Sequence, residues 1–276
     1  MEIRLGPAGI PLSCKNCNTL EGVKKVAELG LSAMEVEFVR GVNLSREKAR
    51  ELGRIAEELN VELSVHAPYY INLASEDEEK VNASVKRILD SLDRAELMGA
   101  GIVVVHAGYY GKDKEKAGEM IERKCAEIAE VIEKNSWKVK LGLETMGKQS
   151  QWGTLEEIAR VCKRLRACAP VIDFAHIYAR NGGEINYPEI LDTVKKLRVG
   201  HVHSHFSGME FTKTLAGGNE KRHLPIKKAR GPDFEALARE ILRRKVSITI
   251  ISESPILERD SLLMKEILEK LGYKFK

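Results

Sequence analysis

Histidine and carboxylate side chains recur at the ends of short apolar runs, where together they could bind metal ions. The seven histidines are His66, His106, His176, His201, His203, His205 and His223. Glu144, Asp173 and Glu253 end apolar runs in the same way. A carboxylate there is costly to desolvate unless a cation pairs with it, and basic residues are scarce at these positions. Because imidazole and carboxylate ligands favour zinc, manganese or iron, the pattern predicts a site of more than one metal ion.

Two histidine spacings leave alternatives open. Asp173 and His176 are three residues apart at the exit of a strand, so they could bind adjacent metals, or His176 could only orient Asp173. His201, His203 and His205 alternate and would point to one side of an extended strand. We expect that strand to end near His203, so not all three are ligands, and the spacing does not choose among them.

The cysteines do not form a metal or disulfide framework. Cys14 and Cys17 make one C-x-x-C pair, which cannot complete a tetrahedral zinc site, and no second pair follows. We interpret them as ordinary loop thiols or as a redox pair. Five cysteines in a chain of 276 residues are typical of a reduced, cytoplasmic protein.

Short β-rich runs alternate with amphipathic stretches along nearly the whole chain. The predicted strands cover residues 3–6, 33–39, 62–66, 102–106, 139–144, 171–173, 200–203 and 247–253. The predicted helices cover residues 20–29, 45–59, 78–98, 113–134, 155–166, 188–197, 234–244 and 258–271. Most of the strands are near-continuous apolar runs, which is typical of parallel strands buried on both faces.

Eight β units alternating with eight α units, without a linker or repeat, predict a single (β/α)8 TIM barrel over residues 1–276. A doubly wound open sheet would also alternate. However, Gly6-Pro7-Ala8-Gly9 after the first strand is not the G-x-G-x-x-G fingerprint of dinucleotide binding. In a barrel the carboxyl ends of the strands converge on one mouth, which would gather the histidines and acids.

Composition excludes some classes of protein. The net charge is +4, from 45 basic and 41 acidic residues, and this balance alone is too weak to indicate nucleic-acid binding. No run approaches the roughly 18 apolar residues needed to span a bilayer, so we expect no membrane association. The first ten residues lack the pattern of a signal peptide, which again favours the cytoplasm.

Several segments resemble, in chain order, the motifs of endonuclease IV, the metal-dependent apurinic/apyrimidinic endonuclease. They are residues 64–73 (SVHAPYYINL), 104–108 (VVHAG), 142–147 (GLETMG), 171–176 (VIDFAH) and 252–255 (SESP). On the seventh strand the family has His, an apolar residue and Asn-Asp. Matching His201-Val202-His203-Ser204 to this motif favours His201 as the ligand and leaves the Asn-Asp pair absent. His203 and His205 would then lie behind the ligands or face the substrate.

The resemblance implies a TIM barrel with two or three Zn²⁺ ions, with Mn²⁺ as an alternative. The first metal would be held by His66, His106 and Glu144, the second by Glu144, Asp173, His201 and Glu253, and the third partly by His176 and His223. The family usually has Asp two residues before the last of these histidines, where this chain has Lys221. Glu220 could take over that role, and His203 is a further candidate ligand.

The activity that the resemblance implies is hydrolysis of the phosphodiester 5′ to abasic sites in duplex DNA, by a water that the metals activate. Glu144 would bridge two metals, and Glu253 would position the nucleophile. Tyr69 would pack beside the abasic site, and Arg40 would reach the duplex. The basic loop 212–230 would contact phosphates through residues such as Lys221 and Arg222. The family resemblance also favours a monomer.

Two other functions remain open. A sugar isomerase or epimerase of the xylose-isomerase-like barrels would use the quartet Glu144, Asp173, His201 and Glu253. Such an enzyme would not need four additional histidines, which are His66, His106, His176 and His223. A catalytically silent DNA- or metal-binding protein is the second alternative, because the third metal shell departs from the family pattern.

Overall fold

The computed structural model describes residues 1–275, and its strands and helices alternate along the chain. The strands are β1 (Ile3–Pro7), β2 (Ala33–Glu37), β3 (Glu62–His66), β4 (Ile102–Val105), β5 (Lys140–Glu144), β6 (Cys168–Asp173), β7 (Val202–Phe206), β8 (Gly208–Thr214), β9 (Gly217–Leu224) and β10 (Ile248–Ser252). The helices are α1 (Thr19–Glu28), α2 (Arg46–Glu58), α3 (Glu78–Leu97), α4 (Lys114–Lys134), α5 (Leu155–Arg164), α6 (Phe174–Arg180), α7 (Tyr187–Lys196), α8 (Phe234–Arg244) and α9 (Glu258–Lys270). A short 3-10 turn, Ile226–Lys228, precedes α8.

Eight strands form one parallel sheet that curves into a barrel. Their order is β1-β10-β7-β6-β5-β4-β3-β2. A parallel bridge between Ala8 and Glu35 brings β1 beside β2. The amide of Ser32 also donates to the carbonyl of Leu5, across the same seam. The predicted (β/α)8 TIM barrel is therefore confirmed.

The helices begin where side chains satisfy their first free amides. Asn18 and Thr154 form complete capping boxes with Glu21 and Glu157, and Ser45 caps α2. The apolar faces of the helices pack onto the outward side chains of the strands. Examples from this buried layer are Val65, Val103, Leu141, Ile172 and Ile250 of the sheet, with Ile88, Ile121, Ile158 and Leu237 of the helices.

The barrel interior is unusually polar. Its apolar part is a small cluster of Ile102, Val104 and Val171, whereas barrel interiors are mostly filled by branched apolar residues. Glu35 and Ser64 are buried and joined by a 2.7 Å hydrogen bond. Such groups are tolerated inside a protein only when they are paired.

The structure departs from the sequence predictions in four places. Strand β7 runs on to Phe206 rather than ending near His203. Residues 174–180 form the short helix α6, and a β8–β9 hairpin occupies most of the segment that we predicted as a basic loop. Cys14 and Cys17 are joined by a disulfide, so their interpretation as ordinary thiols is wrong.

None of the helices formed by residues 1–275 has the length and apolar composition required to cross a membrane.

Candidate metal centre

Glu144, at the end of β5, lies at the centre of the cluster. Its Oε2 is 2.8 Å from Nε2 of His106 and 3.5 Å from Nε2 of His66. Its Oε1 is 3.0 Å from Nδ1 of His205 and 3.4 Å from Nδ1 of His176. One buried carboxylate therefore faces imidazoles with both oxygens, which is the arrangement that a ligand bridging two metals requires.

A second group extends from the other oxygen of Glu144. Nδ1 of His205 lies 3.4 Å from Oε1 of Glu253 and 4.0 Å from Oδ2 of Asp173. The strand register accounts for this, because His205 on β7 is level with Asp173 on β6. Asp173 also caps helix α6, since its Oδ1 accepts a 2.7 Å hydrogen bond from the amide of His176. The cap fixes the carboxylate and leaves Oδ2 facing the cluster.

A third group lies under the hairpin. Nε2 of His176 is 2.9 Å from Oε2 of Glu220, and Nε2 of His223 is 3.8 Å from Oε2 of Glu253. Helix α6 carries His176, and strand β9 carries Glu220 and His223. Glu220 thus stands beside His176, as expected of an acid that replaces the one missing at Lys221.

Glu220 reaches this position because Gly147 has no side chain. A Cβ at Gly147 would lie 2.2 Å from Oε2 of Glu220. The amide of Glu220 also donates to the carbonyl of Gly147, at 3.2 Å. The β5–α5 loop and the hairpin are therefore held together at the third group.

The structure does not bring His201 to the cluster. Its Nε2 is 2.8 Å from Oγ1 of Thr249, which in turn donates to Glu62 at the amino end of β3. His201 thus lies before β7, at the opposite end of the barrel. The histidine of this strand that faces the cluster is His205, four residues later, and Phe206-Ser207-Gly208 follows it. The expectation that His201 binds the second metal is wrong.

His203 and Glu35 form a layer beneath the cluster. Nε2 of His203 is 3.0 Å from Oε2 of Glu35, and Nε2 of His205 is 2.9 Å from Oε1 of the same carboxylate. All three side chains are buried. The ligand atoms of Glu35, His203 and His205 lie within 4.8 Å of one another, so His203 belongs to a separate buried group below those around Glu144. The sequence prediction missed Glu35, although alternation of Glu35 and Glu37 within the apolar run AMEVE could have revealed it.

The donor set fits metal ions. The ligand atoms of His66, His106 and Glu144 lie within 4.8 Å of one another. The same holds for Glu144, Asp173, His176 and Glu253, and for His176, His223 and Glu253. Buried atoms of this cluster lack hydrogen-bond partners among residues 1–275. They are Nε2 of His66, Oε2 of Glu144, Oδ2 of Asp173 and Oε2 of Glu220. Because buried polar atoms are rarely left unpaired, these inward-facing lone pairs indicate cation binding.

The charges of the cluster perturb one another. Burial raises the pKa of Glu144, but the nearby His106 and His205 outweigh this effect and hold that pKa well below its usual range. Burial lowers the pKa of His66, whereas the facing carboxylate of Glu144 and the charge of Glu37 raise it, to about 10. A metal that binds here must therefore displace a proton from His66.

Glu253 behaves differently from the other acids. Burial raises its pKa well above the usual range, and the charges of Glu144 and Asp173 raise it further, against the opposing effect of His205. Its side chain retains 12% exposure, whereas Glu144 has none. Glu253 and Glu220, at 12% and 16% side-chain exposure, are thus the acids of the cluster that solvent or a substrate can reach.

The residues predicted to contact a substrate surround the mouth. Tyr69 is 45% exposed, and its ring lies 5.0 Å from that of His66 and 5.5 Å from that of His106, centroid to centroid. Arg40 lines a cavity of about 450 Å³ beside β2. Lys221 and Arg222 both pair with Glu210 across the hairpin, at 3.7 and 2.7 Å.

Comparison with known proteins agrees with this architecture. A sequence model described as xylose isomerase-like TIM barrel matches residues 23–271. The chain belongs to this family. An uncharacterized protein of Methanocaldococcus jannaschii is 35% identical over 96% of this chain and 97% of its own length. A probable endonuclease 4 of the Aster yellows witches'-broom phytoplasma is 25% identical over 94% of this chain and 93% of its own length.

Solved structures of other proteins share the fold with this chain. A D-tagatose 3-epimerase-like protein superposes with a TM-score of 0.71 at 23% identity, over 98% of this chain and 96% of that one. Endonuclease IV of Thermus thermophilus has a TM-score of 0.68 at 24% identity, over 96% of this chain and 99% of that one. The fold alone therefore does not choose between sugar and DNA chemistry.

Proposed function

We propose that this protein is a metal-dependent endonuclease that hydrolyses the phosphodiester 5′ to abasic sites in duplex DNA. The observation that carries the proposal is the arrangement of three ligand groups around Glu144. His66 and His106 form one group with Glu144, and His176 and His223 belong to another with Glu253. Similarity to probable endonucleases 4 supports the same activity.

Phosphodiester hydrolysis explains why so many ligands would converge. Bound zinc or manganese ions would neutralise the phosphate oxygens, lower the pKa of a water and stabilise the leaving alkoxide. Glu144 would hold two ions close together, because each of its oxygens faces different imidazoles. Glu253, whose side chain keeps 12% exposure beside His205 and His223, would orient the attacking water.

The surroundings of the mouth suit DNA with a missing base. Tyr69 covers His66 and His106 with an exposed ring, which would pack against the sugar left without its base. Flipping that nucleotide costs less than usual because its pairing is already lost. Arg40 is exposed and forms no ion pair within residues 1–275, so its charge is free for a phosphate.

A sugar isomerase or epimerase is the second candidate. Glu144, Asp173, His205 and Glu253 alone could hold a single metal ion beside a bound sugar, with His205 in place of His201. The epimerase-like neighbours share the fold. This function would not require His66, His106 and His223 as metal ligands, and for that reason we favour the endonuclease.

The decisive experiment is incision of a labelled duplex that carries one abasic-site analogue, with metal content measured on the same preparation. We expect a single cut on the 5′ side, lost on prolonged chelation and restored by zinc or manganese. The Glu144→Gln variant, purified identically, controls for contaminating nucleases and should not cut. An intact duplex of the same sequence controls for non-specific cleavage.

Two outcomes would overturn the proposal. A metal-loaded protein that leaves the abasic duplex intact is not this endonuclease, and a panel of ketoses and aldoses would then test the epimerase. Incision by Glu144→Gln at the wild-type rate would mean that the cut does not depend on the bridging carboxylate.

A further inference from the structure

A second cavity lies at the end of the barrel opposite the metal centre. Its volume is about 830 Å³, within the range typical of small-molecule sites. It is bounded by the first residues of strands β3 to β7 and by the ends of α5 and α7.

Positive charge dominates this cavity. Its cations are Lys140, Lys163, Arg166, Lys196 and Arg198, and its one acid is Glu62. Glu62 is already neutralised, because it lies 3.3 Å from Arg4 and accepts a hydrogen bond from Thr249. Within residues 1–275, none of the five cations forms an ion pair with a carboxylate.

This pattern differs from that of the adjacent outer face of α5, where acidic partners are present. Arg160 and Arg164, close by on α5, both pair with Glu122. A concave wall with one sign of charge and no internal counter-ion concentrates anions from solution. The remaining walls include the apolar side chains of Ile102 and Pro170, which could contact an uncharged part of a ligand.

We propose that this basal cavity binds a small anion with two or more phosphate groups and an attached apolar portion, that is, a compound of the nucleoside di- or triphosphate class. A single phosphate would occupy a small part of the volume and meet few of the five cations. A duplex would contact only the rim. The proposal does not depend on the proposed endonuclease activity, because none of the five cations belongs to the groups around Glu144.

Calorimetric titration of the metal-loaded protein with ATP tests the proposal, with tripolyphosphate and adenosine as comparison probes. We expect ATP to bind more tightly than tripolyphosphate, adenosine to bind little, and the ATP affinity to fall as salt is raised. In Lys163→Ala/Arg198→Ala the ATP affinity should fall at least about tenfold, because two charge-assisted contacts are lost. The control Lys24→Ala/Lys48→Ala removes two exposed charges elsewhere and should bind as wild type.

A variant that fills the cavity gives a second test. A Cβ at Gly200 would meet no atom within 4 Å, so Gly200→Trp can place an indole in the cavity without a clash at the backbone. We expect this variant to lose ATP binding while its metal content and incision of abasic DNA remain those of wild type.

The proposal is wrong if both basal variants bind ATP as wild type does. It is also wrong if chelation removes all ATP binding, which would place the anion at the metal centre, or if a short duplex binds the basal face more tightly than ATP. Because incision is measured on the same variants, failure of this site is distinguishable from failure of the endonuclease proposal.

Discussion

Nε2 of His205 lies 2.9 Å from Oε1 of Glu35, a carboxylate that is fully buried beneath the metal centre. The other ring nitrogen, Nδ1, lies 3.0 Å from Glu144. A proton on Nε2 would face the Glu35 carboxylate and would leave the lone pair of Nδ1 for a metal. Glu35 also receives hydrogen bonds from Ser64 and His203, so its own position is fixed from two sides. Such a carboxylate orients the ligand and increases its basicity.

Substitution Glu35→Gln should weaken metal binding without unfolding the barrel. The amide keeps the size of the side chain but loses the charge that holds the proton on His205. We expect the zinc affinity to fall about 10- to 100-fold, measured by competition with a chelator. Glu62→Gln, which removes a carboxylate at the other end of the barrel, should leave the zinc affinity unchanged. Equal affinities for wild type and Glu35→Gln would exclude this role.

His201 and His205 are the two candidate ligands at strand β7, and alanine substitutions of them should affect the metal content differently. His205→Ala should lose one metal equivalent, because His205 faces Glu144, Asp173 and Glu253. His201→Ala should keep the full metal content, since its ring contacts Thr249 instead. Elemental analysis of both purified variants checks this. Loss of metal from His201→Ala alone would contradict the structure.

Glu220 should be needed for the third metal only. In Glu220→Gln we expect the zinc-to-protein ratio to fall by about one, because the charge beside His176 is lost. Lys221→Ala is the matched control, as Lys221 is adjacent in sequence but pairs with Glu210 on the hairpin surface. If both variants keep the wild-type ratio, Glu220 is not a ligand.

Tyr69→Ala should reduce selectivity for abasic DNA more than affinity for DNA in general. The exposed ring lies over His66 and His106, where the flipped sugar would enter. Because the ring is uncharged, it would contribute little to binding of the DNA phosphates. Binding of abasic and intact duplexes, compared by fluorescence anisotropy, should show a loss mainly for the abasic one. Equal losses for the two duplexes would exclude this role, and Tyr70→Ala provides a control at the neighbouring exposed tyrosine.

The affinity for zinc should rise with pH. Burial lowers the pKa of His66, but Glu144 and Glu37 raise it from 6.5 to about 10, so zinc competes with a proton over this range. In the metal-free protein, protonated His66 stabilises the folded state through its acidic neighbours. This contribution is complete below pH 6.5 and is lost as the pH rises through about 10. Chelator competition between about pH 6.5 and 9 should show tighter binding at the higher pH. A flat profile would mean that His66 carries no proton to displace.

Sequence alone determined the barrel and most of the ligands of the candidate metal centre. Alternating apolar runs and capped helices repeat eight times, and that local pattern has few ways to bury its apolar faces. His66, His106, Glu144, Asp173 and Glu253 each end a strand, and the carboxyl ends of parallel strands must meet. Local patterning therefore sufficed to group these residues before their distances were known.

Only the tertiary structure decided which histidine of β7 faces the cluster. His201, His203 and His205 share one side of the strand, and period-two alternation cannot distinguish them. The register decides, because hydrogen bonding sets His205 level with Asp173 and raises it above His203. The pairing of Glu35 with His205, which are far apart in sequence, and the approach of Glu220 to Gly147 likewise depend on chain closure. No local signal encodes such long-range contacts, which exist only once the barrel has formed.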